Sequence, residues 1–140
     1  MNVLFDTDIL IEILNDSDDT ISDAVYLLNK AEKKRISGWI SPVTIQQLTV
    51  YLEQNNQLRL ADDIIRNLMI LFRVITIDEK ITHAALKSPL TDFRTALLAE
   101  SAKASNLDCI VSNNRALWEE RNIRVLTPSD LRTIIEYSGI

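Results

Sequence analysis

The groups in this 140-residue chain that could do chemistry are few, and most are acids or amides. Asp6-Thr7-Asp8 follows the apolar run Asn2-Val3-Leu4-Phe5, and Thr44, Gln46 and Gln47 follow Ser41-Pro42. Asp92, Arg94 and Thr95 lead into an Ala-rich stretch, and Ser112-Asn113-Asn114 follows Cys109-Ile110-Val111. An aspartate ending an apolar strand costs stability when buried unless helix amides, a hydroxyl or a cation receive it. Two carboxylates about 5 Å apart repel by roughly 3 kcal/mol at an effective dielectric of about 20, and a hard divalent cation reverses that sign. The competing reading is structural: Asp6 or Asp8 caps the helix that follows, and Asp92 is a cap or first-turn acid.

Counting removes other chemistries. The single cysteine, Cys109, makes no internal disulfide, and the single histidine, His83, leaves no partner for a His-rich metal site or a nucleophile–His–Asp device. With only Gly38 and Gly139, neither a Walker A loop nor a GxGxxG fingerprint can exist. Lys and Arg number 15 against 20 Asp and Glu, a net charge of −5, so any nucleic-acid contact must use a local patch. No stretch nears roughly 18 uninterrupted apolar residues, which predicts a soluble, cytoplasmic protein with no membrane association.

The elements that must position these groups alternate along the chain, which reads as one domain over residues 1–140. Strands are predicted over 2–5, 37–40, 73–77, 108–111 and 123–126. Residues 9–14 form a helical stripe, and Asp18 to Thr20 offer N-caps for a helix ending near Arg35, with Lys33, Lys34 and Arg35 in its last turn. Ser41-Pro42 and Thr127-Pro128 pair an N-cap with proline at N1. Two helices fill 42–71, broken at 54–57. Asp78 caps a helix of about nine residues ending near Ser88-Pro89, and Thr91 or Asp92 starts another running to about residue 104. Long crossovers between uniformly apolar strands predict an α/β fold with a parallel sheet of about five strands sandwiched by helices. Ligands collect beyond the carboxyl ends of such strands, which selects Asp6 to Asp8, the 41–47 helix start and Ser112 to Asn114. Asp92 precedes the fourth strand, so its presence at that end needs a long loop or an unusual connection.

In that order, VLFDTDILIEIL, WISPVTIQQLTVYL, TDFRTALLAESAKASNLDCIVSNNRALW and RVLTPSDL resemble the successive segments of the PIN domain family over nearly the whole chain. The resemblance implies three or four acidic side chains holding Mg²⁺ or Mn²⁺ for hydrolysis of single-stranded RNA. It also implies kinship with ribonuclease toxins of toxin–antitoxin pairs, which commonly dimerise. Carried over by position, the first acid falls on Asp6, the second on the amide Gln47, the third on Thr95 with Asp92 one turn earlier, and the fourth on Asn114. A further acid seen in some members falls on Leu117.

The expectation is therefore a PIN-like protein with a reduced acidic cluster and weak or lost catalysis. Asp6 and Asp92 are the candidate catalytic residues, and these two with Asp8 the candidate metal ligands. Gln47, Thr95, Ser112 and Asn114 line the site as neutral supports, and Arg94 and Arg115 are candidate phosphate contacts. The alternative is a non-catalytic module that binds RNA or a protein, including an antitoxin or a second copy of the chain through the apolar helices between Gln46 and Leu71. Trp39, Cys109 and His83 read as packing or surface residues.

Overall fold

A computed structural model of the chain describes residues 1–16, 22–90 and 92–140. Among them a five-stranded, wholly parallel sheet forms in the order β3-β2-β1-β4-β5. The strands are β1 (Asn2–Phe5), β2 (Ser37–Ile40), β3 (Arg73–Val74), β4 (Cys109–Val111) and β5 (Arg124–Leu126). The helices are α1 (Thr7–Leu14), α2 (Asp23–Glu32), α3 (Pro42–Gln54), α4 (Ala61–Leu71), α5 (Glu79–Leu86), α6 (Phe93–Ala104) and α7 (Pro128–Ser138), with 3₁₀ turns at Leu58–Leu60 and Arg115–Glu119.

The pleat sorts the core into two layers. Val3 and Phe5 of β1, with Cys109 and Val111 of β4, join one cluster with Ile9, Leu27, Leu131 and Ile135. The alternate residues Leu4 and Ile110 join Ala96, Ala99, Ala102 and Leu117 on the other face. The small side chains of α6 let that helix lie close over β4. Gly38 in β2 serves a similar purpose, since a Cβ there would meet the Phe72 ring at 2.7 Å. That ring is fixed by an edge-on contact with Phe5, centroids 5.0 Å apart.

Local rules set most boundaries. Ser41 and Thr127 cap α3 and α7 with proline following, and Asp78 caps α5 through Ile81 N–H at 2.9 Å. Three expectations need correction. Asp18 to Thr20 lie outside the described residues, and Ser22 caps α2 by accepting from Val25 N–H. That helix ends at Glu32, and Lys34 takes a left-handed φ of 58°, so the basic triplet follows the helix instead of forming its last turn. The predicted third strand shortens to Arg73–Val74: Ile75 donates once more to Ile40 O, and the chain then leaves the sheet edge.

Candidate functional site

The strand order reverses between β2-β1 and β4-β5, so the crossovers diverge beyond the carboxyl ends of β1 and β4. A cleft of about 720 Å³ lies at that position. Its walls include Asp6, Thr7 and Asp8 from the β1–α1 junction, Ser41, Thr44 and Gln47 from α3 and its cap, Asp92, Arg94 and Thr95 from the start of α6, and Asn114. Because α6 runs back to the start of β4, its N-terminus lies at the carboxyl edge of the sheet. The segment carrying α5 supplies the connection that the sequence required.

Pairing of Phe5 with Val111 places the next residues, Asp6 and Ser112, side by side. Ser112 Oγ donates to Asp6 Oδ2 at 2.7 Å, and Thr7 N–H donates to Asp6 Oδ1 at 2.7 Å. Asp6 is thus both the α1 cap and a cleft residue. Burial raises its pKa, opposed by the Ser112 hydroxyl and the Thr7 amide. Asp8 Oδ2 accepts from Asn113 N–H at 2.9 Å, whereas its Oδ1 is buried without a hydrogen-bond partner. Burial, together with the neighbouring Asp6 charge, pushes the Asp8 carboxyl up to about 6. These two carboxylates are therefore an unfavourable pair in the protein as it stands.

Asp92 stands across the cleft as the N-cap of α6. Its Oδ1 accepts from Thr95 N–H at 3.0 Å and its Oδ2 from the Thr95 hydroxyl. Those bonds, with a smaller contribution from Arg94, hold its pKa below the ordinary carboxylate value. Asn114 joins the two sides: its Nδ2 donates to Thr95 Oγ1 at 3.3 Å, and its backbone N–H donates to Ser112 Oγ at 2.9 Å. A polar chain thus runs from Asp6 through Ser112, Asn114 and Thr95 to Asp92.

Gln47 faces Arg94. Its neighbours orient the amide: with the oxygen toward Arg94 it accepts from Nη1 at 2.8 Å and Nε at 3.2 Å, and its nitrogen donates to Thr7 Oγ1. The Thr7 hydroxyl passes on to Thr44 Oγ1 at 3.0 Å.

The structure thus brings Asp6, Asp8, Gln47, Asp92, Arg94, Thr95 and Asn114 to one cleft, with Ser112 behind Asp6. Arg115 is exposed at the start of its 3₁₀ turn and is not among the cleft-lining residues. Leu117 is buried in the core beneath. Sequence reasoning left Tyr51 and Gln54 out of the site; the spacing 44, 47, 51, 54 marks one α3 stripe that lines the cleft wall.

The donor set does not fit a two-ion Mg²⁺ or Mn²⁺ centre. Among the described residues no group of three or more His, Cys, Asp or Glu side chains converges as metal ligands would. The second-helix position offers an amide bonded to a guanidinium, and Thr95 and Asn114 are neutral, which leaves Asp6, Asp8 and Asp92 as the acids of the cleft.

Three solved structures resemble this architecture. One is a toxin–antitoxin complex from Klebsiella pneumoniae: TM-score 0.68, 21% identity, covering 90% of this chain and 97% of that one. Another is VapBC2 from Rickettsia felis bound to a DNA fragment from its promoter: TM-score 0.71, 18% identity, covering 91% and 98%. A third is VapBC-1 from nontypeable Haemophilus influenzae: TM-score 0.68, 13% identity, covering 92% and 99%. At these identities they establish a shared fold. Comparison with curated protein sequences gives no match. The PIN domain family model matches residues 2–116, most of the chain and every segment that builds the cleft. The chain therefore belongs to the PIN domain family.

Proposed function

We propose that this chain is a toxin-like PIN domain held by a protein partner, its metal-dependent endoribonuclease chemistry weakened to the point of loss. One observation carries this reading: the cleft keeps the position and the first acid of a nuclease site while its acids fail to converge as a metal centre. In metal-dependent hydrolysis of a phosphodiester, the bound cation lowers the pKa of the attacking water and stabilises the charge that develops on the leaving oxygen. Mg²⁺ or Mn²⁺ would find Asp6 and Asp8 on one side, and Gln47, Thr95 and Asn114 are neutral.

Charge favours a protein partner over RNA. Asp6, Asp8 and Asp92 against Arg94 leave the cleft net negative, which opposes phosphate and suits a cationic peptide. The related folds from three organisms are toxin–antitoxin assemblies, in which the partner is a protein. Exposed apolar side chains also stand at the two ends of α4: Leu58 and Leu60 before it, and Met69, 52% exposed, and Ile70, 81% exposed, in its last turn.

Labelled unstructured RNA incubated with Mn²⁺ and either wild type or Asp6→Asn tests the loss of catalysis. Identical traces are expected; cleavage by wild type that Asp6→Asn abolishes overturns it. A photo-crosslinking residue in place of Ile70 tests the partner in cells. An adduct with a different polypeptide is expected, and its absence, or an adduct with a second copy alone, rejects an antitoxin-like partner.

A further inference from the structure

The acidic cleft opposes phosphate, and the other end of the sheet differs from it in charge. Residues 112–123 lead from the carboxyl end of β4 back to Arg124, which pairs with Cys109 at the amino edge of the sheet. This return is anchored in the core by Leu117, fully buried, and Ile123, 9% exposed. Beside these anchors Trp118, Arg121 and Arg124 stand exposed, Trp118 at 50%. All three line a second cavity, of about 360 Å³, together with Glu120 and Asn122.

The charges of that cavity are unequally committed. Its carboxylate belongs to Glu120, whose Oε2 accepts from Lys103 Nζ at 3.2 Å and whose Oε1 accepts from the backbone N–H groups of Arg121 at 3.0 Å and Asn122 at 2.9 Å. That acid is thereby neutralised and made to shape the loop. Arg121 and Arg124 have no such engagement. Among the described residues neither guanidinium makes an ion pair or a side-chain hydrogen bond, whereas Arg66 pairs with Asp63, and Arg132 with Asp23 and Glu136.

Two uncommitted guanidinia beside an exposed indole make a local positive surface with a stacking face, on a chain whose net charge is −5. An acidic peptide would use the arginines and leave the ring idle. A strand of nucleotides uses both, because every base has a π-face and every link a phosphate. We propose that Trp118, Arg121 and Arg124 form a binding site for single-stranded nucleic acid, with a base on the indole and the flanking phosphates on the guanidinia. The site holds a strand without cutting it, since its one carboxylate is committed to Lys103 and the loop amides. Nothing in this binding depends on whether the acidic cleft takes a metal.

Anisotropy of a labelled octauridylate, measured in EDTA, reads binding apart from cleavage. Trp118→Ala is expected to weaken binding roughly tenfold, and Trp118→Phe by much less because an aromatic face remains. Arg121→Ala/Arg124→Ala is expected to bring the slope of log K against log salt closer to zero by about 1.4, two phosphate contacts at roughly 0.7 each. In a Trp39→Phe background, shown folded by circular dichroism, Trp118 is the one remaining tryptophan, and the strand is expected to quench its fluorescence. The proposal is overturned by an absence of binding, by binding that Trp118→Ala leaves unchanged, or by equal displacement with an oligo-glutamate of the same length. Binding lost in Asp6→Asn and kept in Trp118→Ala would put the strand in the acidic cleft, and overturns it too.

Discussion

Asp8→Asn should stabilise the protein at neutral pH, and the size of the effect follows from the site. The Asp8 carboxyl is pushed from 3.8 to about 6 by burial and by Asp6, and one of its oxygens is buried without a partner. Its folded-state pKa is raised, so its contribution to stability is fully present below the unfolded value and is lost as pH rises through about 6. Integrated over that window, the ionised group costs at most about 3 kcal/mol at pH 7.5, and solvent screening of its exposed part brings this to about 2 kcal/mol. Asparagine carries no charge and can still accept from Asn113 N–H. It gives up the favourable placement of an acid in the first turn of α1, worth about 0.3–1 kcal/mol. Burial wins, and the net gain is about 1–2 kcal/mol at pH 7.5, shrinking to little near pH 4. Urea unfolding of both proteins at several pH values between 4 and 7.5 measures the difference directly. A variant less stable than wild type at pH 7.5, or a difference that does not change with pH, refutes the reasoning.

Two further outcomes follow from the same contacts. Gly38→Ala forces a methyl against a Phe72 ring already packed on Phe5, and should cost about 1–3 kcal/mol in urea unfolding; a neutral result means that the ring has room to move. Ser112→Ala removes a hydroxyl that stabilises ionised Asp6, so the Asp6 carboxyl should titrate higher than in wild type when followed by NMR. An unchanged or lowered Asp6 pKa contradicts the assigned hydrogen bond.

Much of this molecule is legible in its sequence because local rules act on adjacent residues. The apolar run before Asp6, the Ser-Pro and Thr-Pro pairs at 41–42 and 127–128 and the cap at Asp78 all appear where their chemistry requires. The β-branched stretch 73–77 misleads because pairing at a sheet edge depends on the neighbouring strand, and β2 ends at Ile40. In the site, Asp6 and Ser112 are recoverable from strand ends, since parallel register makes them neighbours. Arg94 is also visible as a charge near the site. Its engagement with Gln47 is not, because the two residues meet only when α3 and α6 lie on opposite sides of the cleft. Asp92 shows how one residue satisfies two readings: it caps α6 through Thr95 and faces the cleft with the same carboxylate.

The absence of a divalent-metal centre is tested most directly by counting Mn²⁺ bound to the wild-type chain at neutral pH by electron paramagnetic resonance, with Asp6→Asn as control. The geometry predicts that the free-ion signal is undiminished and the same for both proteins. Stoichiometric loss of that signal in wild type, restored by Asp6→Asn, would contradict it.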